Sequence, residues 1–210
     1  MGEALAEQYP DSKQAFIVRA MALAGLGRMK DAIALCDERL KQLEDDPDTL
    51  QVKSMVFSIG GDHAATHALG LKMLAKGTAD GEILNNVAWA SLFTGKVEDS
   101  DLEMAVKATQ MLPEATGILH TLACLYAERG KTKEAYDMVL RAMDELNLNE
   151  PDDNYWYVLG RIAEQFGERE TAINDYRKIE KPKSPFGLPT SSWQLAQNRL
   201  KVMGVTATGK

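Results

Sequence analysis

The sequence predicts an all-α fold: five helix–turn–helix units stacked into a solenoid, closed by one further helix. Two observations carry that reading. Every stretch with a readable apolar period has the helical spacing of about 3.6 residues, and no run alternates as a half-buried strand would. Glycines recur at Gly27, Gly61, Gly95, Gly130 and Gly167, at intervals of 34, 34, 35 and 37 residues. Each lies between two helical stretches, where a residue in the left-handed conformation can end the first of them.

Composition sets the outer limits. The chain has 210 residues, 45% apolar and 26% charged, with seven prolines and sixteen glycines. That is too apolar for wholesale disorder and too poor in proline and glycine for a fibrous chain. A chain of this length buries roughly 70% of its unfolded surface, enough to fold without disulfides or metal. The 24 basic residues against 31 acidic ones leave a net charge of −7. A nucleic-acid or anionic-membrane binder needs a basic surface, so neither partner is expected. No run approaches the ~20 apolar residues of a membrane span. A soluble protein of the cytoplasm or periplasm is expected.

The elements follow in chain order. Residues 1–10 read as the closing turns of a helix whose start is missing, and they lack the basic and apolar regions of a signal peptide. The repeats are expected at 13–46, 47–80, 81–115, 116–152 and 153–180, with Pro10, Pro47, Pro113 and Pro151 at their joints. Seven residues before each glycine stand Ala20, Ser54, Ala88, Ala123 and Gly160, all small. Five residues after it stand Ala32, Thr66, Ser100, Ala135 and Ala172, again small. Eleven before it stand Phe16, Leu50, Leu84, Leu119 and Trp156, all large and apolar. Small residues in register let helices approach closely, and the large ones fill the space beside them. In the third repeat the second helix reads as displaced by one residue. No helix pair buries its apolar face alone, so neighbours must stack. A basic linker over 181–190 leads to a capping helix over 191–203, entered at a serine and ending on Arg199 and Lys201. A frayed tail over 204–210 follows.

These residues resemble the tetratricopeptide repeat family. The fifth repeat carries Trp156-x2-Leu159-Gly160, then Gly167, Ala172 and Tyr176 at the family spacing, with Ala163 where the family prefers tyrosine. The fourth keeps Leu119, Leu122, Ala123, Tyr126, Gly130, Ala135 and Ala142, and the third keeps Leu84, Val87, Ala88 and Pro113. The first two are degenerate, with Arg19 and Lys53 where leucine is usual. The resemblance covers about residues 13 to 180 and implies a right-handed superhelix whose concave groove is lined by the first helix of each repeat.

It further implies that the fifth and ninth residues of each repeat face that groove. The fifth are Ile17, Gln51, Asn85, His120 and Tyr157; the ninth are Met21, Met55, Trp89, Cys124 and Arg161. The N-terminal end would be soft and apolar, suited to an apolar side chain or an amphipathic helix. The C-terminal end would be polar and aromatic. Trp89, next to the small Ala88, is expected partly exposed on this face, near Met55, Asn85 and Phe93. Family members that clamp a terminal carboxylate use paired lysine, asparagine and arginine. Only Asn85 and Arg161 match, so that ligand is not expected.

Candidate chemistry is thin. His63 and His67 share a helix face but lack a third metal ligand, and they read as surface histidines. His120 and Cys124 are four apart without an orienting acid or oxyanion donor. Glu98, Asp99, Asp101 and Glu103 lack the alternating ligands of a calcium loop and read as the solvated start of a helix. Cys36 and Cys124 have no partner spacing and read as buried small hydrophobes. No phosphate loop, nucleophile elbow or dinucleotide fingerprint occurs. No metal, no cofactor and no enzymatic activity are expected. The reading is an interaction scaffold that binds a protein or peptide partner in its groove. The alternative is a docking region of a larger, bacterial multidomain protein, packed on a domain upstream in the same chain.

Overall fold

The computed structural model describes residues 12–183 and 188–205. The helix end expected over 1–10, residues 184–187 of the linker and residues 206–210 of the tail lie outside the described residues. Eleven α-helices follow one another: α1 (Lys13–Gly25), α2 (Met29–Gln42), α3 (Pro47–Gly60), α4 (His63–Ala75), α5 (Gly81–Ser91), α6 (Asp99–Met111), α7 (Thr116–Glu128), α8 (Thr132–Glu145), α9 (Asp153–Gln165), α10 (Arg169–Lys178) and α11 (Ser192–Val202). A 3-10 turn, Leu188–Thr190, precedes α11. Among the described residues there is no strand, and no helix is long and apolar enough to cross a membrane.

The punctuation is chemical. The side chains of Ser12, Asp46, Asp80, Asp152 and Ser191 accept a backbone N–H in the first turns of α1, α3, α5, α9 and α11. Pro47, which has no N–H to satisfy, opens α3. All five repeat glycines have positive φ, between 72° and 91°. A side chain is disfavoured there, and this sets the period.

The odd-numbered helices pack on one another in sequence, from α1 on α3 through to α9 on α11. Each even-numbered helix packs on its own partner and on the next odd-numbered helix. The odd-numbered helices therefore form one inner row and the even-numbered ones an outer row. The register explains the closeness. Ala20, Ser54, Ala88, Ala123 and Gly160 are all buried. A Cβ on Gly160 would sit 2.5 Å from the Tyr176 ring. Phe16, Leu50, Leu84 and Leu119 are core residues. Trp156 is only half-buried, with the Lys178 ammonium 3.4 Å from its ring centre.

Ser100 breaks the pattern. It is exposed, because α6 begins four residues after Gly95 while the other second helices begin two after theirs. Asp101 takes the buried place, only 2% exposed. Its carboxylate meets His67 Nε2 at 2.9 Å and accepts the Glu98 N–H at 2.9 Å. Asp101 is therefore no part of a solvated helix start, although Glu98, Asp99 and Glu103 are exposed. His67 and His63 are not simple surface histidines either, since both are half-buried. Cys36 and Cys124 are buried free thiols; burial pushes Cys36 up to about 11 and Cys124 well above its ordinary value.

Candidate functional site

The inner row divides into two unlike halves. On α1 and α3, Ile17, Met21 and Gln51 are half-buried and Met55 is exposed; the Gln51 amide donates to Asp80 Oδ2 at 3.4 Å. On α5, Asn85 and Trp89 are half-buried, and Asn85 Oδ1 has no hydrogen-bond partner among the described residues. His120, Tyr157 and Arg161, expected as open lining, are all less than a tenth exposed, and Cys124 is buried as expected of a small hydrophobe. The polar and aromatic end is internal packing because α11 and the turn before it lie against it.

Trp89 is where the C-terminal segment meets the inner row. Its indole N–H donates to the main-chain carbonyl of Thr190 at 2.9 Å. Its ring stands edge-on to Phe93 at 5.6 Å and tilted against His120 at 5.2 Å. Phe93 in turn stacks flat on His63, centroids 4.2 Å apart. Burial holds the His63 pKa below the ordinary value, and the Pro189 backbone beside it offsets this only in part. The Pro189 ring rests against the α3–α4 turn, where a Cβ on Gly61 would be 2.6 Å from Pro189 Cβ. Trp89 of α5, His63 of α4 and the Gly61 turn thus lie against Leu188–Thr190, whose Pro189 ring keeps an exposed side. No sequence signal pointed to that turn, because the linker has no period and its partner lies 101 residues away.

The His120–Cys124 pair is not an activated nucleophile. His120 Nε2 donates to the Asn154 carbonyl at 3.0 Å and lies 3.3 Å from Cys124 Sγ. Burial pulls His120 down to about 4 and drives the thiol up. A catalytic thiolate needs the opposite shift. Among the described residues no three His, Cys, Asp or Glu side chains converge as metal ligands.

A chain of alternating charges joins the last two repeats to α11. Glu128 accepts from the Tyr157 hydroxyl and from Arg161 Nε, both at 2.6 Å. Arg161 Nη1 lies 3.1 Å from Glu164 Oε1. Glu164 accepts from Arg199 Nε at 3.0 Å, from Arg199 Nη2 at 2.5 Å and from the Tyr176 hydroxyl at 2.5 Å. Burial pushes the Glu164 pKa up, but Arg199, Tyr176 and Arg161 together hold it below the ordinary value. Only Arg161 and Glu164 share a helix; the other pairs join separate helices. A cavity of about 490 Å³ opens where α11 faces the ends of α5 and α7, lined by Phe93, Val97, Tyr157, Leu195 and Val202 among others.

Comparison with known proteins agrees with this architecture. The tetratricopeptide repeat model matches residues 153–181. No curated protein matches the sequence. Among solved structures, YrrB, described as a TPR protein with an unusual peptide-binding site, superposes with a TM-score of 0.62 at 14% identity, covering 95% of this chain and 97% of its own. MamA superposes at 0.62 with 12% identity, covering 94% and 98%. TTC0263, a thermophilic TPR protein of Thermus thermophilus, superposes at 0.60 with 16% identity, covering 92% and 100%. At such identities the likeness concerns the fold alone. The family's own pattern is thus matched in the fifth repeat, and the chain shares the tetratricopeptide-type helical repeat fold of these proteins.

Proposed function

We propose that the chain is a protein–protein interaction scaffold whose inner face, from α1 to α5, holds a peptide or helix of a partner. The observation that carries this is Trp89, which keeps a large aromatic ring and an N–H donor on that face and uses the donor on a main-chain carbonyl. A carbonyl is offered by every peptide, and aromatic anchors of this kind dominate interface energetics. Ile17, Met21 and the exposed Met55 extend the face with flexible apolar side chains that adapt to different partners. The peptide-binding site named for the similar protein YrrB supports the same reading. The test is a random dodecapeptide library displayed on phage and panned on the full chain. Selected clones are expected to lose binding with Trp89→Ala and Met55→Glu and to keep it with Tyr136→Ala on the outer helix α8. Clones indifferent to both inner-face changes would refute the proposal.

A further inference from the structure

The grip on Leu188–Thr190 has the features of a recognition site rather than of ordinary linker packing. It takes up a main-chain acceptor, the Thr190 carbonyl, on the Trp89 indole. It also takes up one side-chain shape, the Pro189 ring, held against a turn whose glycine leaves no room for a Cβ. Neither device reads which chain supplies the segment. An apolar cavity of about 380 Å³ lies beside the ring, lined by Leu26, Met29, Ile59, Gly60 and Pro189 itself. Leu26, at its rim, is 74% exposed. A segment that also sends an apolar side chain into this cavity would fill space that Pro189 only borders.

We propose that Trp89, His63 and Gly61 form a seat for an extended, proline-containing segment of a partner protein. Leu188–Thr190 holds the seat as an internal competitor until such a segment displaces it. The inference rests on the scaffold reading and adds both the partner's chemistry and the means of regulation. An extended segment suits the seat because its carbonyls are free, whereas a helix has already spent most of its own. The proline's fixed backbone lowers the entropy lost on docking. An intramolecular competitor weakens a foreign segment by the fraction of time the seat is open. The seat is therefore closed to weak ligands.

The test uses the full chain and a fluorescein-labelled Leu-Pro-Thr-Ser-Ser peptide, read by anisotropy. Pro189→Gly removes the ring from the Gly61 turn, and this variant is expected to bind the peptide about tenfold more tightly than the unaltered chain. Adding Trp89→Phe, which keeps an aromatic ring but removes the N–H, is expected to reverse most of that gain. A peptide with glycine in place of proline is expected not to bind. Equal affinities for the unaltered chain and Pro189→Gly, or binding indifferent to Trp89→Phe, would overturn the proposal. A second measurement needs no variant: millimolar peptide must shift the Trp89 indole N–H resonance of the unaltered chain, and an unmoved resonance refutes the seat. A concentration-dependent dimer with Trp89 still protected would place a second copy's turn in the seat and overturn a foreign occupant. Library clones that need Trp89, alongside a proline peptide that never binds, would sink this proposal and leave the scaffold reading standing.

Discussion

Glu164→Gln removes one charge from the middle of the ladder that holds α11, and its cost can be worked from the contacts. The carboxylate is 14% exposed and accepts from three donors, two of them on Arg199, while lying 3.1 Å from Arg161 Nη1. A glutamine offers one acceptor and turns an NH₂ toward guanidinium groups. Breaking a buried ion pair by removing one partner costs about 3–5 kcal/mol when the orphaned charge stays buried. Here the loss is smaller. Arg161 keeps Glu128, and Arg199, at 27% exposed, can turn to water. About 2 kcal/mol is expected, roughly two charge-assisted hydrogen bonds at their net worth less the screening at Arg199. The urea midpoint should fall, and amide exchange should quicken in α11 before α7. A midpoint within about 0.5 kcal/mol of the unaltered chain, the range of an ordinary surface change, would mean the ladder is decorative. So would unchanged exchange in α11.

Three further outcomes test the packing and the electrostatics. A Cβ on Gly70 would fall 1.8 Å from Cγ2 of the fully buried Val87; Gly70→Ala should destabilise by about 2 kcal/mol despite a helix-propensity gain near 1 kcal/mol, and a stabilised variant in thermal melts would refute the close α4–α5 crossing. Ala123→Leu and Ala172→Leu, both at fully buried positions, should each cost about 1–3 kcal/mol in denaturant titration, and unchanged midpoints would place the repeat register wrongly. His120 is held neutral, its pKa lowered from 6.5 to about 4 by burial, so the unfolded chain takes up the proton first as the pH falls. Stability should therefore drop by about 2 kcal/mol between pH 7.5 and pH 5 through this residue alone; His120→Gln should show a flatter profile, and identical slopes would refute the assignment.

What the sequence made legible was whatever a period can carry. The glycines, the small crossing residues and the large fillers repeat, so five helix pairs could be read from spacing, while the inner row of first helices came from the family resemblance. The one-residue displacement read for the second helix of the third repeat is there too, since Asp101 rather than Ser100 is buried; what spacing did not show is that His67 pairs with it. Of the expected lining, Met55 is exposed and Trp89 half-buried, as their phase on α3 and α5 implies. The burial of His120, Tyr157 and Arg161 does not follow from phase, since it is imposed by a segment with no repeat of its own. Ladder partners such as Glu128 and Arg199 sit 33 and 35 residues from their mates, and single-sequence spacing does not connect such distances.

The ladder and the Trp89 seat are two ends of one piece. The Ser191 hydroxyl donates to the Leu188 carbonyl at 2.8 Å and accepts the Gln194 N–H at 3.2 Å, so the 3-10 turn and α11 share a single hydrogen-bonded joint. Arg199 fastens the far end of α11 to Glu164, while Leu195, Ala196 and Leu200 bury its near face. Withdrawing the turn from Trp89 while α11 stays docked would strain that joint, and letting α11 loosen relieves it. Weakening the ladder should therefore open the seat without touching it. If turn and helix leave together, the ~2 kcal/mol lost in Glu164→Gln raises the open population by about 30-fold. The proline peptide should then bind Glu164→Gln more tightly than the unaltered chain. Combined with Pro189→Gly, the gain should fall short of the sum, because both changes release the same element. Full additivity in the double variant, or no gain from Glu164→Gln alone, would show that the turn moves independently of α11 and that the ladder fixes the end of the solenoid without governing its groove.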